Sequence, residues 1–361
     1  MPTELRQALK AVLGGALGAA MLAACLASPA AAQAPQGPWL TLAPFPVPSE
    51  EVLGATANGK MYVFAGLAPG WKPKALVYEY DPAANTWTQK KPMPLPSHHL
   101  AFTTFNDKIY AFGGFKLPES GPPAWDPIDN AWEYDPATDT WKALAPLPSK
   151  RGAASAAVLN GKIYVTGGAT NLPGVTENGI HPARPHNVVA TVDVYDIATN
   201  TWSSARPLLL ARNHHASAAV NGKVYVIGGR VASAFISGTS NNVDLVEAYD
   251  PATNLWSARA RMPTPRSAIA AGVYGNYIIV PGGEGQNWQF LAAFKAVEAY
   301  NTANNTWQIL PSMPHQRHGL AVGVTGNRLY AVSGDGQSAG NGIKESDVDF
   351  NEALELDKVL K

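Results

Sequence analysis

One interval recurs six times along this chain and constrains its fold more than any other feature. In each case a tryptophan is followed by a glycine 27 residues later. A spacing that recurs over the whole length of a chain is typical of repeat architectures, in which each repeat is one small unit that packs on its neighbours. The pairs are Trp39–Gly66, Trp87–Gly114, Trp141–Gly168, Trp202–Gly229, Trp256–Gly283 and Trp307–Gly334.

A second interval separates a tyrosine from the next tryptophan by seven residues in five of the repeats. The segments are YDPAANTW, YDPATDTW, YDIATNTW, YDPATNLW and YNTANNTW, which begin at Tyr80, Tyr134, Tyr195, Tyr249 and Tyr300. The distance from the glycine to the tyrosine varies from 14 to 27 residues. One loop per repeat is therefore able to change length.

Each repeat is predicted to form four short strands. In the fourth repeat, Ala216–Val220 and Val224–Ile227 are β-rich runs, and Asn221-Gly222 between them suits a tight hairpin because both residues tolerate positive φ. The tyrosine run supplies the third strand, and the tryptophan begins the fourth. A glycine pair after the second strand indicates a place where the backbone approaches a neighbour closely.

Repeats of about 50 residues with a glycine pair, a tyrosine and a tryptophan resemble kelch repeats, whose blades form β-propellers. The resemblance covers residues 38–361 and implies an all-β, six-bladed kelch β-propeller. The last repeat has Leu356 in place of the tyrosine and no following tryptophan. We therefore expect the N-terminal strand at Trp39 to close the last blade, which leaves no exposed sheet edge. The resemblance says little about function.

The N-terminal segment has the pattern of a secretory signal peptide. Arg6 and Lys10 precede an uncharged run, and small residues follow up to Ala32, so residues 1–32 are predicted to be a signal peptide and 33–37 a short linker to the propeller. An alternative stays open, because LAAC at Leu22–Cys25 resembles a lipobox and would place a lipid anchor at Cys25. In both cases the chain is expected to be periplasmic or secreted.

Composition excludes several classes of function. Cys25 is the only cysteine, so the propeller has no disulfide and lacks the cysteine that galactose-oxidase-like copper radical oxidases need. The chain has 27 basic and 27 acidic residues, and loss of Glu4, Arg6 and Lys10 with the signal peptide leaves a net charge of about −1. This balance gives no reason to expect a nucleic-acid partner. We expect a monomer without a transmembrane span.

Candidate site residues cluster in the loop before the first strand of each repeat, which we call the inner loop. Four of the six inner loops begin with arginine, and the other two begin with Ser49 and Ser97. In a propeller, the inner loops and the loops after the second strands open on the same face, so residues of both are expected to converge. The arginines have an alternative structural role in pairing with a neighbouring blade. The candidate ligand-binding residues are Arg151, Arg212, Asn213, His214, Arg230, Arg266, Arg317, His318, His98, His99 and Trp288.

Two functions fit these residues. The first is a binding module that holds an acidic or carbohydrate-like ligand, or a partner protein, on this face, since arginine forks bind carboxylates and aromatic rings stack on sugars. The alternative is a carbohydrate-active enzyme such as a sialic acid mutarotase or epimerase, with Glu284 and His214 as candidate acid and base. Neighbouring residues on a strand face opposite ways, so His214 and His215 do not form a metal pair, and no metal or cofactor is predicted.

Overall fold

Six antiparallel sheets of four strands each form the fold, and every sheet corresponds to one sequence repeat. The structure is a computed structural model that describes residues 37–68, 70–174, 179–180, 186–233, 241–286, 290–338 and 346–360. The predicted signal peptide and Cys25 lie outside these residues. Within the described ranges no helix has the length and apolar character needed to cross a membrane.

The blades are numbered in chain order, and their strands are given from the first to the fourth. Blade 1 consists of Glu50–Ala57, Lys60–Ala68, Lys72–Asp81 and Thr86–Gln89. Blade 2 consists of Ala101–Phe105, Lys108–Phe112, Ala131–Asp135 and Thr140–Ala143. Blade 3 consists of Ser155–Leu159, Lys162–Thr166, Val192–Asp196 and Thr201–Ser204. Blade 4 consists of Ala216–Val220, Lys223–Ile227, Val246–Asp250 and Leu255–Ala258. Blade 5 consists of Gly272–Tyr274, Tyr277–Pro281, Val297–Asn301 and Thr306–Leu310. Blade 6 consists of Ala321–Thr325, Arg328–Val332, Asn351–Glu355 and Trp39–Thr41.

Smaller elements extend some of the variable loops. Among the described residues, three two-stranded ribbons follow the second strands of blades 2, 3 and 5, and a short 3₁₀ helix at Leu356–Lys358 follows the third strand of blade 6. The ribbons pair Phe115–Lys116 with Asp126–Pro127, Ala169–Thr170 with Asn187–Val188, and Glu284–Gln286 with Leu291–Ala293.

The first strands of the six blades surround a central channel of about 260 Å³. The hairpin that joins the first two strands has the predicted turn chemistry. In blade 4, Asn221 and Gly222 adopt φ of 51° and 73°, the left-handed pair that such a hairpin requires. The glycine pair is also explained. A Cβ on Gly229 would lie 2.7 Å from the carbonyl oxygen of Asn213, so a side chain does not fit there.

The tryptophan of each blade donates a hydrogen bond to the segment that follows the fourth strand of the preceding blade. In blade 3 the Trp202 indole N–H donates to the carbonyl oxygen of Ala145 at 2.9 Å. Asn200 Oδ1 accepts from the backbone N–H of the same Ala145 at 2.9 Å and from the Tyr195 hydroxyl at 2.7 Å. The same indole bond occurs in all six repeats, from Trp39, Trp87, Trp141, Trp202, Trp256 and Trp307.

The closure predicted at Trp39 is confirmed. Trp39–Thr41 pairs antiparallel with Asn351–Glu355 and completes blade 6. Trp39 lies opposite Leu354, just as Trp256 lies opposite Tyr249 in blade 4. Leu354 therefore takes the tyrosine position, and the assignment to Leu356 was wrong by two residues. The variable loop between the second and third strands has no fixed length, so the position of the third strand cannot be counted from the glycine pair.

Candidate functional site

A ring of six equivalent residues surrounds the axis at one end of the channel. Each stands two residues after the residue that begins its inner loop, and each has φ between 50° and 56°, which is unusual outside glycine. Backbone bonds link neighbouring members, from the His214 N–H to the Ala153 carbonyl at 2.9 Å and from the Ala153 N–H to the His99 carbonyl at 2.8 Å. We call these residues the axial ring. They are Glu51, His99, Ala153, His214, Ala268 and Gly319.

Three positions of the axial ring hold polar residues and three hold small ones. Glu51, His99 and His214 carry functional groups, whereas the other three positions hold alanine or glycine. All six line a cavity of about 60 Å³, and the small residues leave space beside the polar ones. Three chemically active groups from three different blades therefore share one space on the axis.

His99 lies at the centre of a cluster of aromatic rings that meet it edge-on or tilted. Its Nε2 is 3.1 Å from Glu51 Oε2, and its Nδ1 is 2.5 Å from His98 Nδ1. The ring of Trp125 packs against His99 with a centroid distance of 4.8 Å and is itself buried. These contacts fix the orientation of the imidazole.

Arg230 connects the other polar groups of the site. Its Nη1 donates to Glu284 Oε1 at 2.8 Å, and its Nη2 lies 2.9 Å from His214 Nε2. Arginine is always a donor, so His214 Nε2 accepts, and Nδ1–H donates to Asn213 Oδ1 at 2.6 Å. Ser338 Oγ donates to Glu284 Oε2 at 3.1 Å and extends this network toward the surface.

Charges in this cluster shift the pKa of several groups. Burial favours a higher pKa for Glu51, but His99, His318 and Arg230 outweigh it and lower the pKa to about 2. Burial opposes protonation of His318, yet Glu284 and Glu51 raise its pKa to about 9. His318 is therefore a cation beside these carboxylates at neutral pH.

Two further groups respond mainly to burial. Burial and the nearby Glu51 raise the pKa of Glu50 to about 8, so this carboxyl is protonated at neutral pH. Burial, followed by the charge of Arg230, holds the pKa of His214 well below its usual range. His214 therefore stays neutral and keeps a lone pair.

The four inner-loop arginines turn away from the channel into their own blades. Arg212 Nη2 lies 2.7 Å from Glu247 and also donates to the Val226 carbonyl. Each of the four is no more than 1% exposed. Their carboxylate partners come from the third strand of the same blade, not from a neighbouring blade as one alternative predicted. The pairs are Arg151–Asp193, Arg212–Glu247, Arg266–Glu298 and Arg317–Glu352.

A pattern within the repeats supports a structural role for these arginines. The partner carboxylate stands two residues before the tyrosine position. In the two blades whose inner loops begin with serine, the same place holds Tyr78 or Trp132. Arginine and carboxylate therefore occur together or not at all. Ligand binding by the four arginines stays a prediction that their contacts do not support.

The remaining predicted site residues lie at or beside the channel mouth. His98, His99, Asn213, His214, Arg230, Glu284 and His318 are within this polar cluster. Trp288 lies outside the described residues. Sequence reasoning missed Glu51 and Ser338. For Glu51 a signal existed, since it occupies the repeat position of His99 and His214.

The comparisons with known proteins agree with the propeller fold described above. A family model described as attractin/LZTR1 beta-propeller matches residues 41–234, and a kelch motif model matches 211–263 and 265–314. Kelch-like protein terF of Aspergillus terreus is 29% identical over 78% of this chain and 60% of its own length. Kelch-like protein 25 of Xenopus tropicalis is 30% identical over 57% of this chain and 32% of its own length.

The chain thus spans less than two thirds of the length of these curated relatives. The solved structure of YjhT superimposes with a TM-score of 0.69 and 20% identity, covering 86% of this chain and 95% of that one. This likeness concerns the fold alone. Repeats, sheet order and family models agree that the chain belongs to the kelch-repeat β-propeller family.

Proposed function

We propose that this chain is a binding module that holds a small, hydroxyl-rich ligand such as a carbohydrate on the inner-loop face of the propeller. The observation that carries the proposal is a pocket of about 390 Å³ beside the polar cluster. This volume lies within the range of small-molecule sites. Ser338 lines the pocket and donates to Glu284, so the pocket adjoins the network of Arg230 and the axial ring.

The residues of the pocket match the two kinds of surface that a sugar presents. Apolar groups of the ribbon after blade 5 form one part of the lining, and amide, hydroxyl and ammonium groups form the other. Sugars offer apolar C–H faces together with hydroxyl groups, which suits such a mixture. The lining residues that supply these groups are Leu291, Ala292, Ala293, Lys295, Gln316, Gln337 and Ser338.

A neutral ligand fits this face better than an acidic one. The expectation of an acidic ligand was based on the inner-loop arginines, and these are buried against carboxylates of their own blades. Arg230 is paired with Glu284, and Lys295 Nζ donates to the Pro314 carbonyl at 2.7 Å. No arginine fork of the pocket or the axial ring is therefore presented to a carboxylate ligand in the part of the chain that the structure describes.

A thermal-shift screen of residues 33–361 tests the proposal. The screen compares neutral sugars, sugar acids and acidic peptides, and a ligand at about 100 times its Kd adds about 2.7 kcal/mol to the unfolding free energy. Ala292→Trp fills the pocket and should abolish the shift. Ala137→Trp, in an exposed turn on the opposite face, should retain it. A shift that persists in Ala292→Trp places the ligand elsewhere, and no shift with any sugar favours a partner protein.

The enzymatic alternative rests on Glu284. This carboxylate is buried behind the pocket, where it accepts from Ser338 at the pocket and from Arg230 within the cluster, so proton exchange with a bound sugar would pass through Ser338. NMR exchange between sugar anomers, measured with and without the protein, tests this function. Acceleration that is lost in Glu284→Gln supports the enzyme, and an unchanged exchange rate rejects it.

Export is part of the proposal and is supported by the pattern of residues 1–32. A mass measurement of the protein recovered from the cell envelope distinguishes the form cleaved after Ala32 from the form lipidated at Cys25. Cleavage after Ala32 gives a soluble chain that begins at Gln33. Cleavage before Cys25 gives a chain with an added lipid mass.

A further inference from the structure

We propose that the axial ring holds a divalent transition-metal ion of the zinc type, with Glu51, His99 and His214 as its ligands. One ligand atom from each of these residues lies within 4.8 Å of the other two. Two imidazole nitrogens and one carboxylate oxygen form a set that zinc prefers, and three protein ligands leave a fourth position open. The proposal does not depend on the identity of any sugar ligand.

The distance between two of the ligands agrees with a shared ion. Two ligands at about 2.1 Å from a tetrahedral zinc lie about 3.4 Å apart. His99 Nε2 and Glu51 Oε2 are separated by 3.1 Å. Although they are so close, His99 Nε2 has no aligned hydrogen-bond partner within the described residues. Glu51 and His99 both line the cavity of about 60 Å³, which offers space for an ion beside these two atoms.

The groups behind the two histidines are those that a metal site needs. A ligating histidine usually donates its second N–H to a partner that fixes the ring. His214 Nδ1–H donates to Asn213 Oδ1, which leaves Nε2 for the metal. His99 Nδ1 lies 2.5 Å from His98 Nδ1. When His99 Nε2 is the ligand, His99 Nδ1–H donates a hydrogen bond to His98 Nδ1.

One existing contact must yield when the ion binds. Arg230 Nη2 occupies the lone pair of His214 Nε2 at 2.9 Å, and the ion replaces it there. Arg230 keeps its second partner, because its Nη1 donates to Glu284 at 2.8 Å. Glu284 also lies 3.7 Å from His318 Nε2, so this carboxylate stays within the cluster and holds Arg230 when its Nη2 contact is displaced.

The backbone conformation of the axial ring orients the three proposed ligands. Positive φ is unusual outside glycine, yet five of the six ring positions adopt it with other residues, and Glu51 and His214 have φ of 52° and 53°. The conformation directs three polar side chains from blades 1, 2 and 4 toward one axis.

Titration of the chelator-treated protein with Zn²⁺ in a calorimeter tests the proposal, and Co²⁺ absorption reports the coordination. We expect one ion per chain. Substitutions Glu51→Gln, His99→Gln and His214→Gln should each weaken binding by more than about 100-fold, and Asn213→Ala by about 10–100-fold. His315→Gln is the matched control, because His315 is half exposed and lies outside the axial ring, and it should leave the affinity unchanged.

Two results would overturn the proposal. One is the absence of stoichiometric binding to the folded wild-type chain. The other is binding that survives all three ligand substitutions or that is lost in His315→Gln. If a substituted chain fails to fold, the Co²⁺ spectrum of the wild-type protein still decides, because a four-coordinate site and six-coordinate surface binding give different visible spectra.

Discussion

At the scale of single residues, the buried arginine–carboxylate pairs illustrate how a candidate ligand contact becomes a structural one. Arg212 and Glu247 are both completely buried and lie 2.7 Å apart. Removal of one partner leaves an uncompensated charge, which costs about 3–5 kcal/mol. We therefore expect Arg212→Ala to lower the free energy of unfolding by this amount in urea denaturation.

A double substitution provides the control for this prediction. Arg212→Ser with Glu247→Tyr reproduces the Ser49 and Tyr78 combination of blade 1. It removes both charges together, so it should recover most of the lost stability. If the Arg212→Ala protein unfolds at the same urea concentration as the wild type and loses ligand binding, the arginine contacts a ligand.

The residue scale also shows what the sequence predicts about the site. Repeat alignment places Arg212 and His214 in one inner loop, but it does not say which way either side chain turns. The positive φ at His214 directs its ring to the axis, whereas Arg212 enters the blade toward Glu247. The covariation of arginine with an acidic residue is visible in the sequence and would have indicated the difference.

At the scale of elements, the asparagine or aspartate in the turn before five of the six tryptophans connects neighbouring blades. Asn254 has φ of 54°, and its Oδ1 accepts from the Tyr249 hydroxyl at 2.8 Å and from the Arg206 N–H at 3.0 Å. Asn254 is exposed, and loss of an ordinary hydrogen bond costs about 0.5–1.5 kcal/mol. Alanine in a left-handed conformation adds about 1–2 kcal/mol.

These two costs are separable by substitution. Asn254→Gly loses the hydrogen bonds but tolerates the positive φ, whereas Asn254→Ala loses both. Urea unfolding should therefore rank the wild type first, Asn254→Gly second and Asn254→Ala last. Equal stability of the two substituted chains would mean that the backbone conformation contributes nothing at this turn.

At the scale of the whole molecule, the four-stranded blade repeats six times, but the side chains of the axial ring differ from blade to blade. The hairpins and blades follow from local sequence, because turn residues and strand spacing recur in every repeat. The axial cluster does not, because Glu51, His99 and His214 are 48 and 115 residues apart and form no local motif. Only closure of the ring brings them within 4.8 Å.

Ring closure depends on the strand at Trp39–Thr41, and this dependence leads to the last prediction. A chain that begins at Leu42 lacks the strand that pairs with Asn351–Glu355 and leaves the edge of blade 6 unpaired. Unpaired edges recruit other chains. We expect this chain to form oligomers in size-exclusion chromatography with light scattering and to unfold at lower urea concentration than a chain that begins at Pro35.

A peptide that spans residues 35–45 should restore the monomer, since an added strand supplies both the backbone bonds and the Trp39 indole that donates to the Pro311 carbonyl at 2.9 Å. The same peptide with Trp39→Ala keeps the backbone bonds but loses this anchor, and it should restore the monomer less well. If the shortened chain is monomeric and as stable as the longer one, closure by the N-terminal strand does not hold the propeller together.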